Sequence, residues 1–196
     1  MIKQKRSVVQ KICLLAGIGL IAAAVAVMAL WQWGVSSSEQ KAEEYVNTIR
    51  SLIPEPQGAA LEELGDDMMP SLSLDGKDFV GIIEIPRYDS VLPVCLEWGH
   101  SSKYPCCFSG SIYDGTMQIG ATSNKGQYDF YREISVGDEI TFTDMVGNKF
   151  AYEVTDIHYS KNTDQTALES ENADLTLFIK NVYAFEYIIV FCSIVC

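Results

Sequence analysis

A chain of 196 residues has room for one domain of ordinary size plus an appendage, and 48 % apolar residues place it among globular proteins rather than disordered or fibrous ones. Its 26 acids against 14 Lys and Arg give a net charge of −12, which argues against nucleic acid or an anionic lipid headgroup as a partner of the acidic part.

The first element is apolar. Ile12 to Trp31 holds no charged residue over 20 positions, and at ~1.5 Å rise per residue such a helix spans the ~30 Å hydrocarbon core of a bilayer. Lys3, Lys5, Arg6 and Lys11 precede it and no acid does, so the positive-inside rule keeps the N-terminus cytoplasmic, with Trp31 and Trp33 at the far interface. The segment is expected to be a single-pass anchor, residues 12–34, after a basic segment 1–11, with the rest of the chain extracytoplasmic. The rival reading is a signal peptide cleaved near Ala26 or Ala29, whose apolar core would be shorter than this one. Beyond the anchor ten Lys and Arg face 26 acids, a net −16; such a face serves solubility or meets a cationic partner.

Residues 35–78 are expected to form a helical stalk and a linker. Ser36, Ser37 and Ser38 before Glu39 and Gln40 are capping-box candidates for a helix start. Ala42, Tyr45, Val46, Ile49, Leu52 and Ile53 recur at spacings of three and four, one apolar stripe ending before Pro54. The stripe packs on the domain or continues the anchor as a stalk; it is too short to argue a dimer seam. Pro54 to Asp78, rich in Pro, Gly, acids and Ser without a period, reads as a linker.

From residue 79 the pattern is β. Phe79–Ile85 and Ser90–Leu96 are extended runs, and Glu139–Thr143 and Lys149–Val154 alternate at period two around a hairpin loop, Asp144–Asn148, with Gly147 at a left-handed position. Ala173–Ile179 and Tyr187–Cys192 are rich in branched and aromatic residues. Short strands separated by turn signals predict a mainly β, closed or sandwiched domain over 79–196.

Of six cysteines, Cys13 lies in the anchor, leaving Cys95, Cys106, Cys107, Cys192 and Cys196, an odd number that cannot all pair within one chain. The spacing offers no zinc-type Cys and His set, and no metal or cofactor is expected. Adjacent Cys106 and Cys107 cannot easily bond each other; the expected bridge is Cys106 to Cys192, with buried thiols as the alternative. His100, between Gly99 and Ser101, and His158, after the strand that reaches Ile157, read as surface or loop residues.

Four segments in order carry a family resemblance. Gly81-Ile82-Ile83-Glu84-Ile85-Pro86 with Leu92-Pro93-Val94; Ser109-Gly110-Ser111-Ile112-Tyr113 with Met117-Gln118-Ile119-Gly120-Ala121; Val136-Gly137-Asp138-Glu139-Ile140-Thr141-Phe142-Thr143-Asp144 with Gly147 and Tyr152-Glu153-Val154; and Leu175-Thr176-Leu177-Phe178 together resemble the sortases, nearest their class B and class D branches. The resemblance implies a closed sortase-like β-barrel below an N-terminal transmembrane helix and a short helical stalk. It also implies a chemistry: a cysteine thiolate attacking a Thr–Gly bond of a sorting signal, a histidine acid and base, and an arginine at the oxyanion. Carried over residue by residue, the histidine position falls on Thr122, the cysteine on Lys180 and the arginine on Tyr187, so all three are substituted.

No obvious residue stands in. Cys192 is five positions beyond Tyr187 on one predicted strand, ~17 Å away at ~3.4 Å per residue and on the opposite face. Cys106 and Cys107 precede the histidine strand, and their direction is not set by sequence. Lys180 as nucleophile would trap the acyl group as a stable amide and stop after one event. The expectation is therefore a catalytically inactive binding or accessory module at the bacterial cell surface, whose partner is a surface-protein peptide or an active sortase. Two alternatives stand beside it: an active cysteine transpeptidase with a displaced site, and a structural ectodomain without ligand. The oligomeric state is left open.

Overall fold

The structure, a computed structural model, describes residues 2–54, 69–99, 103–123, 133–161, 168, 173–181 and 186–195, with side chains of the long helix described at 14–30, 33 and from 39 onward. Helix α1 (Ile2–Leu52) is followed by β1 (Leu72–Leu74), β2 (Lys77–Ile85), a 3-10 turn at Pro86–Tyr88, β3 (Ser90–Cys95), β4 (Cys106–Ser109), β5 (Met117–Thr122), β6 (Glu139–Asp144), β7 (Lys149–Ser160), β8 (Leu175–Asn181) and β9 (Glu186–Ile194). The chain divides into two units, Met1–Ser38 and Glu39–Cys196.

In the first unit α1 exposes apolar side chains all round, among them Leu14, Leu15, Leu20, Ile21, Met28 and Leu30. Among the described residues no helix is long and apolar enough to cross a membrane. The backbone stays helical through Ser36–Ser38, so the expected helix start there is not formed: a residue whose N–H is already in the helical ladder needs no cap.

The second unit is a closed barrel. Its sheet runs β1-β2-β3-β4-β5-β8-β9-β7-β6, and β2 also pairs with β6, which closes eight strands and leaves β1 as an extra strand on β2. Closure removes the open edges that would otherwise template aggregation. Strand parity fills the interior: Val80, Ile83, Ile85, Ile119, Ile140, Phe142, Tyr152, Val154, Leu175, Leu177, Ile179 and Val190 pack in one cluster. The sheet begins at Leu72, within the stretch read as linker, because Asp75 and Gly76 take positive φ and fold β1 back on β2. β7 runs on to Ser160, three residues past Ile157, so His158 is a surface residue as expected but lies on the strand, opposite Ile189, and not in a loop. A register shift between Val154 and Asp156 breaks the alternation that a sequence reading follows. Gly147 has φ 91°, the left-handed conformation expected in the β6–β7 turn.

The last turns of α1 cover the outer face of β2, β3 and β4. Ala42, Tyr45, Val46 and Ile49 pack with Phe79, Ile82, Cys95, Tyr104 and Cys106. Leu52, counted in the same stripe, is 57 % exposed, while Ile53 still packs against this cluster: at ~100° per residue Leu52 falls on the edge of the stripe and Ile53 within it. Tyr45 Oη donates to Asp75 Oδ2 at 3.0 Å and Arg50 pairs with Glu84 at 2.9 Å, tying the helix to the β1–β2 turn and to β2.

Candidate functional site

The alternation that sends Ala121, Ile179 and Ile188 inward sends their neighbours Thr122, Lys180 and Tyr187 to the outer face. On that face Thr122 lies opposite Lys180 across the parallel β5–β8 pair, and Lys180 opposite Tyr187 across the antiparallel β8–β9 pair. The three positions therefore form one cross-strand row, which Ser160 of β7 extends. Lys180 is exposed, Thr122 and Tyr187 half-buried. The Ser123 N–H donates to the Lys180 carbonyl at 3.0 Å, which holds the end of β5 against β8.

The row beneath is covered from Cys95 to Ile189 and ends in the exposed His158. It runs Cys95, Cys106, Gly120, Phe178, Ile189 and His158 from β3 to β7. Over Gly120 meet two rings 80 positions apart in the sequence, Trp98 and Phe178, with centroids 5.2 Å apart. Phe108 stands edge-on to Phe178 at 5.1 Å. Such tilted and edge-on pairs are the favoured aromatic geometry. A Cβ at position 120 would meet Phe178 Cζ at 2.3 Å and Trp98 Cζ3 at 2.4 Å, so only glycine admits both rings. Leu168, Ile189 and Phe191 complete the patch. One row further, Ser109 Oγ donates to Gln118 Oε1 at 2.8 Å and Gln118 Nε2 donates to the Leu168 carbonyl at 3.4 Å. A small cavity of about 120 Å³ lies beside Gln118, Leu168, Ala173 and Thr176.

The cysteines are elsewhere. Cys192 is fully buried in the barrel interior, opposite Leu175 and on the reverse face from Tyr187; burial pushes its thiol pKa up. Cys107 also points inward, and burial, with Cys106 adding to it, pushes its thiol up to about 11. Cys106 faces outward under the helix end. The expected Cys106–Cys192 bridge is therefore not formed: the two thiols lie on opposite faces of the barrel wall, and Cys95, Cys106, Cys107 and Cys192 are all outside disulfides. His158 is exposed on the outer face, its Nε2 2.8 Å from Asp156 and its ring edge-on to Phe191 at 5.4 Å. His100, Cys196 and the side chain of Cys13 lie outside the described residues. Among the described residues no group of three or more His, Cys, Asp or Glu is arranged to hold a metal ion.

Sequence reading found the row and missed its floor. Trp98 sits in a segment without a periodic pattern, and nothing in the sequence joins it to Gly120 and Phe178, 22 and 80 positions later. The only available signal was the glycine inside a β run, a mark of close approach by another group.

By sequence, neither a protein-family model nor a curated protein matches the chain. By structure, a sortase D5 transpeptidase of Clostridium perfringens superposes with TM-score 0.56 at 17 % identity, covering 82 % of this chain and 99 % of that one. Sortase A of Corynebacterium diphtheriae gives 0.53 at 19 % identity, with 83 % and 84 % covered. A sortase C of Clostridium perfringens, solved with a C-terminal cell wall sorting motif, gives 0.52 at 15 % identity, with 83 % and 88 % covered. At these identities the likeness is one of fold, and the chain has the sortase fold.

Proposed function

We propose that this chain is a membrane-anchored, extracytoplasmic protein of sortase fold that has lost transpeptidase chemistry and serves as a binding or accessory module for a surface-protein peptide. The observation that carries the reading is the single outer row Thr122–Lys180–Tyr187. The positions to which the resemblance assigns base, nucleophile and oxyanion donor are cross-strand neighbours, as a catalytic constellation would be, yet their side chains supply no thiolate and no imidazole. The inward direction of Cys107 and Cys192 supports it further. What remains is a hydroxyl, an ammonium and a phenol above an aromatic floor, a surface that offers donors to peptide carbonyls and apolar contact to side chains. Lys180 adds a cation on a chain of net charge −12. Membrane attachment is supported by the uncharged run Ile12–Trp31 and by the exposed apolar side chains of Leu14 to Leu30, which water would not favour on all faces of one helix.

The test uses the full chain in lipid with a peptide containing a Thr–Gly sorting signal. No cleavage and no covalent acyl-protein are expected by mass spectrometry, while the peptide binds and Lys180→Glu weakens binding at least fivefold. Peptide cleavage abolished by alkylation of one cysteine would establish the displaced-site transpeptidase instead. Binding that is absent, or unchanged in Lys180→Glu, would remove the peptide-binding assignment.

A further inference from the structure

The row beneath Thr122, Lys180 and Tyr187 continues beyond Gly120 into two thiols. Cys95 ends β3 and Cys106 opens β4, and the two are direct partners across a parallel bridge. Adjacent strands lie ~4.8 Å apart, inside the ~4.4–6.8 Å Cα separation that a disulfide accepts. Their side chains share one packed layer with Tyr45, Phe79 and Tyr104, and Cys106 Sγ donates to the Tyr104 carbonyl at 3.3 Å. The Cys95 N–H also donates to the Pro105 carbonyl at 2.8 Å, so the backbone at both ends of the intervening segment is already held together. Both thiols are buried, Cys106 at 1 % exposure and Cys95 at 8 %, but Cys95 borders a cavity of about 470 Å³ with Lys77, Lys103, Tyr45 and Tyr104. A reagent can therefore reach one thiol of the pair before the other.

We infer that Cys95 and Cys106 form a redox site, a thiol pair that an external disulfide of the thiol–disulfide exchange class converts into an intrachain bridge. In the first step the Cys95 thiolate attacks one sulfur of the external disulfide, breaking its S–S bond; one half leaves as a thiolate and takes up the proton Cys95 gave up. In the second step Cys106, as thiolate, attacks the Cys95 sulfur of the mixed disulfide and expels the other half, which is protonated in turn. Two electrons and two protons pass from the protein thiols to the external disulfide, which becomes two thiols. The Cys106 thiol and burial raise the Cys95 pKa and the Lys77 ammonium only partly opposes them, so the first attack is slow at neutral pH and quickens as pH rises. The bridge closes the base of the segment that carries Trp98, the ring lying over Gly120 and Phe178, so the oxidation state of the pair bears on the cover of this aromatic patch. This inference holds for an active or an inactive groove alike.

The experiment treats the full chain, folded and in lipid, with oxidised glutathione, then denatures it, alkylates it with N-ethylmaleimide and maps the digest by mass spectrometry. The expected result is a pair of peptides joined through Cys95 and Cys106, a mass about 2 Da below the sum of the reduced peptides, with Cys107 and Cys192 alkylated. In Cys106→Ser the resolving thiol is gone, and Cys95 is expected to keep one glutathione. Recovery of Cys95 and Cys106 as alkylated thiols after this treatment overturns the inference, and so does a bridge from either to Cys107 or Cys192.

Discussion

Gly120→Ala tests whether Trp98 and Phe178 really close over β5. The new Cβ would stand 2.3 Å from Phe178 Cζ and 2.4 Å from Trp98 Cζ3, against an ordinary carbon contact of ~3.5–4.0 Å, so more than ~1 Å must be found on both sides. Phe178 is 2 % exposed and held by Phe108, Leu168 and Ile189. Trp98 is half-buried and borders solvent, so it is the ring that gives way. Overpacking costs about 1–3 kcal/mol, and losing the Trp98–Phe178 pair adds about 0.5–1.5 kcal/mol. Removing a glycine from the unfolded chain returns about 0.4–1 kcal/mol, leaving a net loss of about 0.5–4 kcal/mol by the same estimates. Urea unfolding measures the stability, and acrylamide quenching of Trp98, in a Trp31→Phe/Trp33→Phe background, measures its exposure. Quenching should rise, and the Gly120→Ala penalty should fall by about 1 kcal/mol in a Trp98→Ala background, because neighbours that share a contact are not additive. A loss below about 0.5 kcal/mol with unchanged quenching would refute the covered floor.

Asp138 is buried, which alone would raise its pKa, but hydrogen bonds from Tyr88 at 2.7 Å, Arg87 at 2.5 Å and the Ser135 N–H at 2.9 Å outweigh burial and hold it below the usual carboxylate range. A depressed native pKa stabilises the fold above the unfolded value of about 3.9, and that contribution is lost as pH falls through the native value. Asp138→Asn should cost about 1.5–3 kcal/mol at pH 7, and urea unfolding should show the gap to wild type narrowing at pH 3. Ile49→Ala should cost about 2–5 kcal/mol and Leu52→Ala under about 0.5 kcal/mol, since Ile49 is fully buried under the barrel face and Leu52 is exposed; equal losses in denaturant titrations would contradict the packing of the helix end. The Cys107 thiol, raised to about 11, should be alkylated slowly in the folded protein at pH 8 and at least tenfold faster in denaturant, as read by time-resolved mass labelling.

The sequence by itself determined much of what rests on period and parity, except where the Val154–Asp156 register shift breaks the alternation. Alternation in Tyr187–Cys192 put Cys192 on the face opposite Tyr187, because side chains an odd number of positions apart on a strand must point apart, whereas the β8–β9 register set Lys180 beside Tyr187. The helix stripe at Ala42, Tyr45, Val46 and Ile49 was legible for the same reason, its spacing being that of a buried helical face. Tertiary structure decided what parity cannot encode: which strands become neighbours and what covers them. Pairing of β3 with β4 put Cys95, not Cys192, beside Cys106. Positive φ at Asp75 and Gly76 turned part of an apparent linker into a strand. The approach of Trp98 to Gly120 and Phe178 depends on barrel closure and on β5 lying between β4 and β8, contacts that no local pattern announces.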